Sequence, residues 1–134
     1  MAKAPKTRAS GTMTESAFIT FVKGHLRRAS RFWKPITDTI KNARVRKGVY
    51  LCNGCKQEVP ASVVIDGKRV KGVFCDHINP VVDPETGFSG WDSFVNNLYC
   101  ESDNLQLLCK SCHDLKSKAE RTIRSNNKKE QDEL

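Results

Sequence analysis

The chain has 134 residues, 38% of them hydrophobic and 28% charged, enough apolar matter for one modest core and too little length for two full domains. Its net charge of +8 is unevenly placed: residues 1–50 carry twelve basic and two acidic side chains, whereas residues 51–113 carry five and eight and hold all six cysteines. That asymmetry points to a polyanionic partner, most simply nucleic acid, and the longest apolar run, Val49 to Cys52, is far too short to span a bilayer.

Lys3 and Lys6 are followed by no apolar stretch, so the reading expects no secretory signal, a soluble protein without a membrane partner, and a reducing cytoplasmic setting. Residues 1–12 mix Lys, Arg, Ala, Pro, Ser and Gly without period and are expected as a disordered basic lead. Residues 13–48 are expected as a basic helical hairpin. Thr12-Met13-Thr14-Glu15 has the form of a capping box, and Phe18, Val22, Leu26 and Ala29 recur at helical spacing. Pro35 ends that helix, and a second is expected from Pro35 to Val45 with Ile36 and Ile40 turned inward. The two acids of residues 1–50 cannot neutralise the twelve bases there, so Arg27, Arg28, Arg31, Lys34, Arg44 and Arg46 are candidate nucleic-acid contacts. His25 reads as an ordinary boundary histidine.

From residue 50 to 75 the period shortens, with Val59, Val63 to Ile65, Val70, Val73 and Phe74 interrupted by Asp66-Gly67, a strong hairpin signal. A loop rich in turn formers follows His77, then a short amphipathic stretch from Trp91 to Leu98, whose aromatic residues read as core. A strand from Leu105 to Leu108, a polar helix from about Lys110 to Ser125 and a flexible tail over residues 126–134 complete the chain.

Cys52-Asn53-Gly54-Cys55 and Cys109-Lys110-Ser111-Cys112 are two C-x-x-C knuckles. Each places two thiolates on one side of a tight turn, and together they complete the four-sulfur shell of a structural zinc ion. The 53 residues between them exceed the usual spacing of a zinc ribbon, so the insert is expected to be a structured piece stapled at both ends. Cys75 and Cys100 have no knuckle partner and read as small buried hydrophobes.

Inside the staple, Asp76-His77-Ile78 closes a strand, Asn104 opens the next one, and His113 directly follows the last knuckle cysteine. If Cys112 faces the zinc, His113 faces about 100° away, with Lys116 and Ser117 on its own helix face. The run Cys52-x-x-Cys55, Asp76-His77-Ile78, Asn104-Leu105-Gln106-x-Leu108-Cys109-x-x-Cys112-His113-x-x-Lys116 resembles the HNH endonucleases, specifically the small zinc-stapled type common in bacteriophages. The resemblance covers residues 50 to about 120. It implies an α+β protein with a ββα-metal core at residues 49–125, two antiparallel strands and a helix gripping a divalent ion, acting as a hydrolase on phosphodiester bonds. For a phage-encoded chain the setting is the host cytoplasm.

Carried over by position, the resemblance makes Asp76 and His113 ligands of the catalytic cation, His77 the general base, and Asn104 the brace of the His77 imidazole across the strands. Phosphodiester cleavage independently requires a nucleophilic water, a base near neutrality and a cation on the phosphate. Two protein ligands leave open positions that suit magnesium or manganese. Because Asp76 and His77 are consecutive, the chain is expected to leave strand geometry there so that both reach one site. Double-stranded DNA is the implied partner, with Lys116 among its contacts; one catalytic ion cuts one strand at a time, so a double-strand break takes two copies or two successive events. The rival reading is a non-catalytic zinc protein that binds nucleic acid through its basic arm.

Overall fold

The computed structural model describes residues 3–133, with side chains through Lys128; Met1, Ala2 and Leu134, the outermost residues of the expected lead and tail, lie outside the described residues. The chain is mixed α and β and divides into two compact units between Phe32 and Trp33, so the two helices expected as one hairpin belong to different units. No described helix is long and apolar enough to cross a membrane.

In the first unit the expected disordered lead contains a strand. β1 (Lys6–Arg8) pairs antiparallel with β2 (Met13–Thr14) around a turn whose Ala9, Ser10 and Gly11 all have positive φ. Thr12 closes this turn through a hydrogen bond from its hydroxyl to the Ala9 carbonyl, 2.6 Å, and so is not the helix cap. Helix α1 (Glu15–Ser30) is capped instead by Thr14, whose hydroxyl accepts from the Ala17 N–H. Glu15 cannot complete a capping box because Arg8 takes its carboxylate at 2.8 and 3.2 Å.

The second unit opens with α2 (Lys34–Asn42). Pro35 sits in its first turn, where the missing N–H costs nothing. The helix stops three residues before the expected Val45, because Arg44 to Arg46 form β3 (Arg44–Arg46), paired antiparallel with β4 (Val49–Leu51), which in turn pairs with β5 (Glu58–Pro60). Sheet pairing here overrides the helical pattern, and β-branched Val45 fits a strand.

β6 (Ser62–Ile65) and β7 (Lys68–Lys71) form the hairpin that Asp66-Gly67 predicts, in full register. Both turn residues have positive φ, 51° and 77°, the geometry that matches the twist of two-residue hairpins. β8 (Val73–His77) pairs antiparallel with β9 (Leu105–Cys109). Between them lie the turn-rich loop, α3 (Trp91–Leu98), which matches the expected amphipathic stretch, and a short 3-10 turn, Ser102–Asn104. α4 (Lys110–Glu133) starts directly after β9 and continues as helix through the stretch expected to be a flexible tail.

The core of this unit gathers on β9 and α3. Leu105, Leu107, Leu108, Phe94 and Leu98 are all buried, each contributing roughly 1.5–3 kcal/mol relative to exposure. Leu107 and Leu108 are neighbours in the strand and point to opposite faces, so β9 is covered on both sides. α4 covers one face, because its His113 stacks on Phe74 and its Lys116 reaches Asp76.

Gly72, between the hairpin and β8, is buried and donates to the Ala61 carbonyl while accepting from the Lys110 N–H. A Cβ there would lie 2.6 Å from the Pro60 carbonyl oxygen. Gly72→Ala is therefore expected to cost about 1–3 kcal/mol through forced backbone movement, read as a lower urea midpoint. Gly67→Asn, at an open turn position where Asn tolerates positive φ, is the matched control and is expected to stay within about 1 kcal/mol of the parent.

Candidate metal centre and the strand-helix site

The four knuckle cysteines come together: Cys52, Cys55, Cys109 and Cys112 have sulfurs all within 4.8 Å of one another, with Cys55 and Cys109 3.9 Å apart. Tetrahedral zinc with bonds near 2.3 Å places its sulfurs about 3.8 Å apart, so the donor set could hold a metal ion such as zinc.

Local structure explains how the first knuckle reaches the second across the insert. Asn53 docks on β9 as a strand partner would: its N–H donates to the Leu107 carbonyl at 2.8 Å, and its side-chain oxygen accepts from the Leu107 N–H at 2.7 Å. A Cβ on Gly54 would sit 3.1 Å from the Cys112 sulfur and 3.2 Å from Leu108 Cδ2, so glycine permits the close approach. Asn53 is a structural residue the sequence reading passed over; its only signal is an amide side chain inside a knuckle.

The electrostatics of the cluster suit a cation. Burial alone would raise the Cys52 thiol, but N–H groups of Cys109, Cys55 and Gly54 converge on it and bring it down to about 6. Cys112 is pushed up to about 12 by hydrogen bonding to Cys109, by burial and by the neighbouring Cys52 and Cys55. The cluster favours its first thiolate and resists its last, and a bound dication removes that resistance.

The other predicted residues divide between two faces of β8. The strand stays regular through its end, with Asp76 opposite Gln106 and His77 opposite Leu105. The expected departure from strand geometry does not occur, and the two side chains alternate. Asp76 turns toward α4: its Oδ2 accepts from Gln106 Nε2 at 3.0 Å and lies 3.2 Å from Lys116 Nζ. His77 turns the other way and bonds the Leu98 carbonyl through Nε2 at 2.9 Å. A carbonyl only accepts, so Nε2 carries the hydrogen and the lone pair of the neutral ring sits on Nδ1.

Asn104 does not brace the imidazole. Its side-chain oxygen accepts from the Asn79 N–H at 2.9 Å and its amide donates to the Asn79 carbonyl at 3.3 Å, closing the chain just past His77. Ile78 adds a backbone bond to the Asn104 carbonyl. Asn104 thus holds the loop that follows His77, at the edge of a cavity of about 450 Å³ lined also by Asn79, Pro80, Asp83, Pro84 and Asn97.

His113 lies outside the sulfur cluster. Its ring stacks on Phe74, centroids 4.4 Å apart and 12° between planes. Among the described residues its Nδ1 is buried without a hydrogen-bond partner; Asp114 Oδ1, at 3.9 Å, is too distant for one. His113 and Asp76 are both on the α4 side of the β8–β9 pair.

Lys116 is not open to phosphate. Its ammonium donates to the His77 carbonyl at 3.0 Å and to Glu120 Oε1 at 2.5 Å, and it pairs with Asp76 Oδ2. Three acceptors use its three N–H groups. Burial would lower the Lys116 pKa, but Glu120 and Asp76 outweigh it and raise it. The cause is helical spacing, which stacks His113, Lys116 and Glu120 along one face of α4.

The basic candidates are divided between the two units. Arg27, Arg28 and Arg31 belong to the first unit, and Lys34, Arg44 and Arg46 to the second. Arg28 donates to His25 Nδ1 at 2.7 Å, Arg31 lies over the Phe32 ring, Lys34 pairs with Asp38, and Arg46 pairs with Glu58.

The protein is expected to copurify with about one zinc ion per chain, read by atomic absorption, and Cys52→Ser or Cys112→Ser should lose it. Because structural zinc contributes about 10–16 kcal/mol, comparable to the whole stability of a domain, a strong chelator should abolish the cooperative thermal transition seen by circular dichroism. No protein family, curated protein or solved structure matches the chain.

Proposed function

We propose that this chain is a metal-dependent endonuclease of the HNH type, hydrolysing phosphodiester bonds in double-stranded DNA. The observation that carries the reading is the strand-helix site: Asp76 and the unpartnered Nδ1 of His113 share the α4 side of an antiparallel β8–β9 pair, with His77 one residue beyond Asp76. The sulfur cluster supports it from below, since it fixes where α4 begins and hence where His113 stands.

The chemistry follows from the alternation of β8. Asp76 and His77 lie on opposite faces, so a phosphate can meet both only at the open end of the strand, where the chain passes into the loop held by Asn104. Asp76 and His113 would hold magnesium or manganese on the α4 side of the strand, and the ion would supply charge to the phosphate oxygens and the leaving group. His77 takes the proton of the attacking water at Nδ1, the nitrogen left without hydrogen by the bond from Nε2 to Leu98. That bond also fixes the ring in one orientation and stabilises the imidazolium formed. Asn104 works one step back, keeping the loop after His77 from closing over the phosphate.

The basic first unit supplies attraction without sequence reading: Arg27, Arg28 and Arg31 offer phosphate contacts of the salt-sensitive kind. A non-catalytic zinc protein that docks nucleic acid would use the same arginines, and it leaves the orphaned His113 nitrogen without a purpose.

Supercoiled plasmid incubated with magnesium or manganese separates the two. Wild type should produce nicked circles, and His77→Ala should slow nicking by about 10²–10⁴-fold while binding DNA in a gel-shift assay as wild type does. Binding without nicking by wild type under either ion would establish the docking protein instead.

A further inference from the structure

We infer that Lys116 is a resident counter-cation of the candidate catalytic metal site, and that Glu120 is the carboxylate that receives its ammonium when a divalent ion takes Asp76. The inference rests on the metal-site reading above and adds to it two positioning residues, one of them assigned no role by the sequence.

The geometry has three parts. Lys116 Nζ lies 3.2 Å from the Asp76 oxygen that a metal would need. It also lies 2.5 Å from Glu120 Oε1, one helical turn along α4, and 3.0 Å from the His77 carbonyl. The pairs are well shielded: the side-chain exposures are 13% for Asp76, 25% for Lys116 and 24% for Glu120, so neither charge is dissolved into bulk water. One ammonium is thus shared between two carboxylates, only one of which belongs to the candidate ligand pair.

Charge then decides what happens on metal entry. A divalent ion bound to Asp76 stands close to the ammonium and repels it. The flexible four-carbon stem of lysine can move its head, and Glu120 already holds it, so the displaced charge keeps a partner at no new desolvation cost. A monovalent ion gains nothing by this exchange, since it replaces one unit charge by another. Lys116 and Glu120 therefore bias the site toward divalent cations, and Lys116 keeps Asp76 paired until one arrives.

A purely structural ion pair makes the opposite prediction, because removing Lys116 would then loosen Asp76 and weaken the metal. The test is Mn²⁺ titration of the zinc-loaded full chain, following the electron paramagnetic resonance signal of free Mn²⁺ at fixed ionic strength. Lys116→Met should tighten the dissociation constant about tenfold, Glu120→Gln should weaken it about tenfold, and Lys116→Arg, which keeps the charge, should stay near wild type. Circular dichroism and zinc content establish that each variant is folded. If Lys116→Met fails to fold, Glu120→Gln decides, since it leaves the Lys116–Asp76 pair in place: unchanged affinity overturns the inference. Equal or weaker Mn²⁺ binding by folded Lys116→Met also overturns it. Saturable binding by wild type that the variants do not alter in this way leaves the metal site standing without the exchange, whereas no saturable Mn²⁺ binding by any of the proteins removes the metal site and the inference together.

Discussion

The second unit depends on four sulfurs being held within 4.8 Å of each other against their own charge. Cys52 and Cys55 lie on the chain before the 53-residue insert, and Cys109 and Cys112 after it. Closing a loop of that length costs entropy that grows only slowly with its size, and a metal ion of the kind the four sulfurs could hold would offset it. What the staple fixes is register. Cys109 ends β9 and Cys112 lies in the first turn of α4, so the helix phase is set before the helix leaves the sheet. His113, Lys116 and Glu120 then fall on one face because their offsets are three, four and seven residues. A slip of one residue in that phase would turn all three by about 100° and separate them from Phe74 and Asp76.

β8 imposes the second constraint. Its register is unbroken to its last residue, and the period of two sends consecutive side chains to opposite faces. A site built from Asp76 and His77 is therefore confined to the strand's end. The loop past that end is held by two hydrogen bonds from a single side chain, Asn104, together with one backbone bond at Ile78. The neighbouring cavity is lined by asparagines, prolines and one aspartate. That lining contains no basic side chain.

The sequence made local chemistry legible and three-dimensional choices less so. The two knuckles, the Asp66-Gly67 turn and the Trp91–Leu98 helix carry their signals in adjacent residues, and the structure has each of them. The capping-box pattern at Thr12 failed because two competitors were invisible in sequence: the Ala9 carbonyl, which takes the Thr12 hydroxyl, and Arg8, which takes Glu15. α2 ended early for the same kind of reason, since β4 offers Arg44 to Arg46 a sheet to join. Lys116 looked like a phosphate contact because positive charge near a predicted nuclease motif reads that way. Its real neighbours are forty residues upstream and one helical turn downstream, and only the fold reveals both. Asn104 was placed at the right point of the chain but given the wrong partner, because an asparagine's two-way hydrogen bonding fits a backbone peptide as well as an imidazole.

Charge is unevenly divided along this chain. The net excess of basic residues lies in residues 1–50, outside the staple, and its two acids are already engaged, Glu15 by Arg8 and Asp38 by Lys34. At the strand-helix site the Lys116 ammonium is bound between two carboxylates, and the Lys71 ammonium lies over the Phe74 ring. If the same residues had to supply both attraction and hydrolysis, tight ground-state binding of phosphate at the reacting centre would lower the energy of substrate and transition state alike and leave the rate unchanged. On the proposed reading, standing positive charge lies elsewhere and a divalent ion would bring charge to the site, which would reserve electrostatic stabilisation for the step in which charge develops on the phosphate.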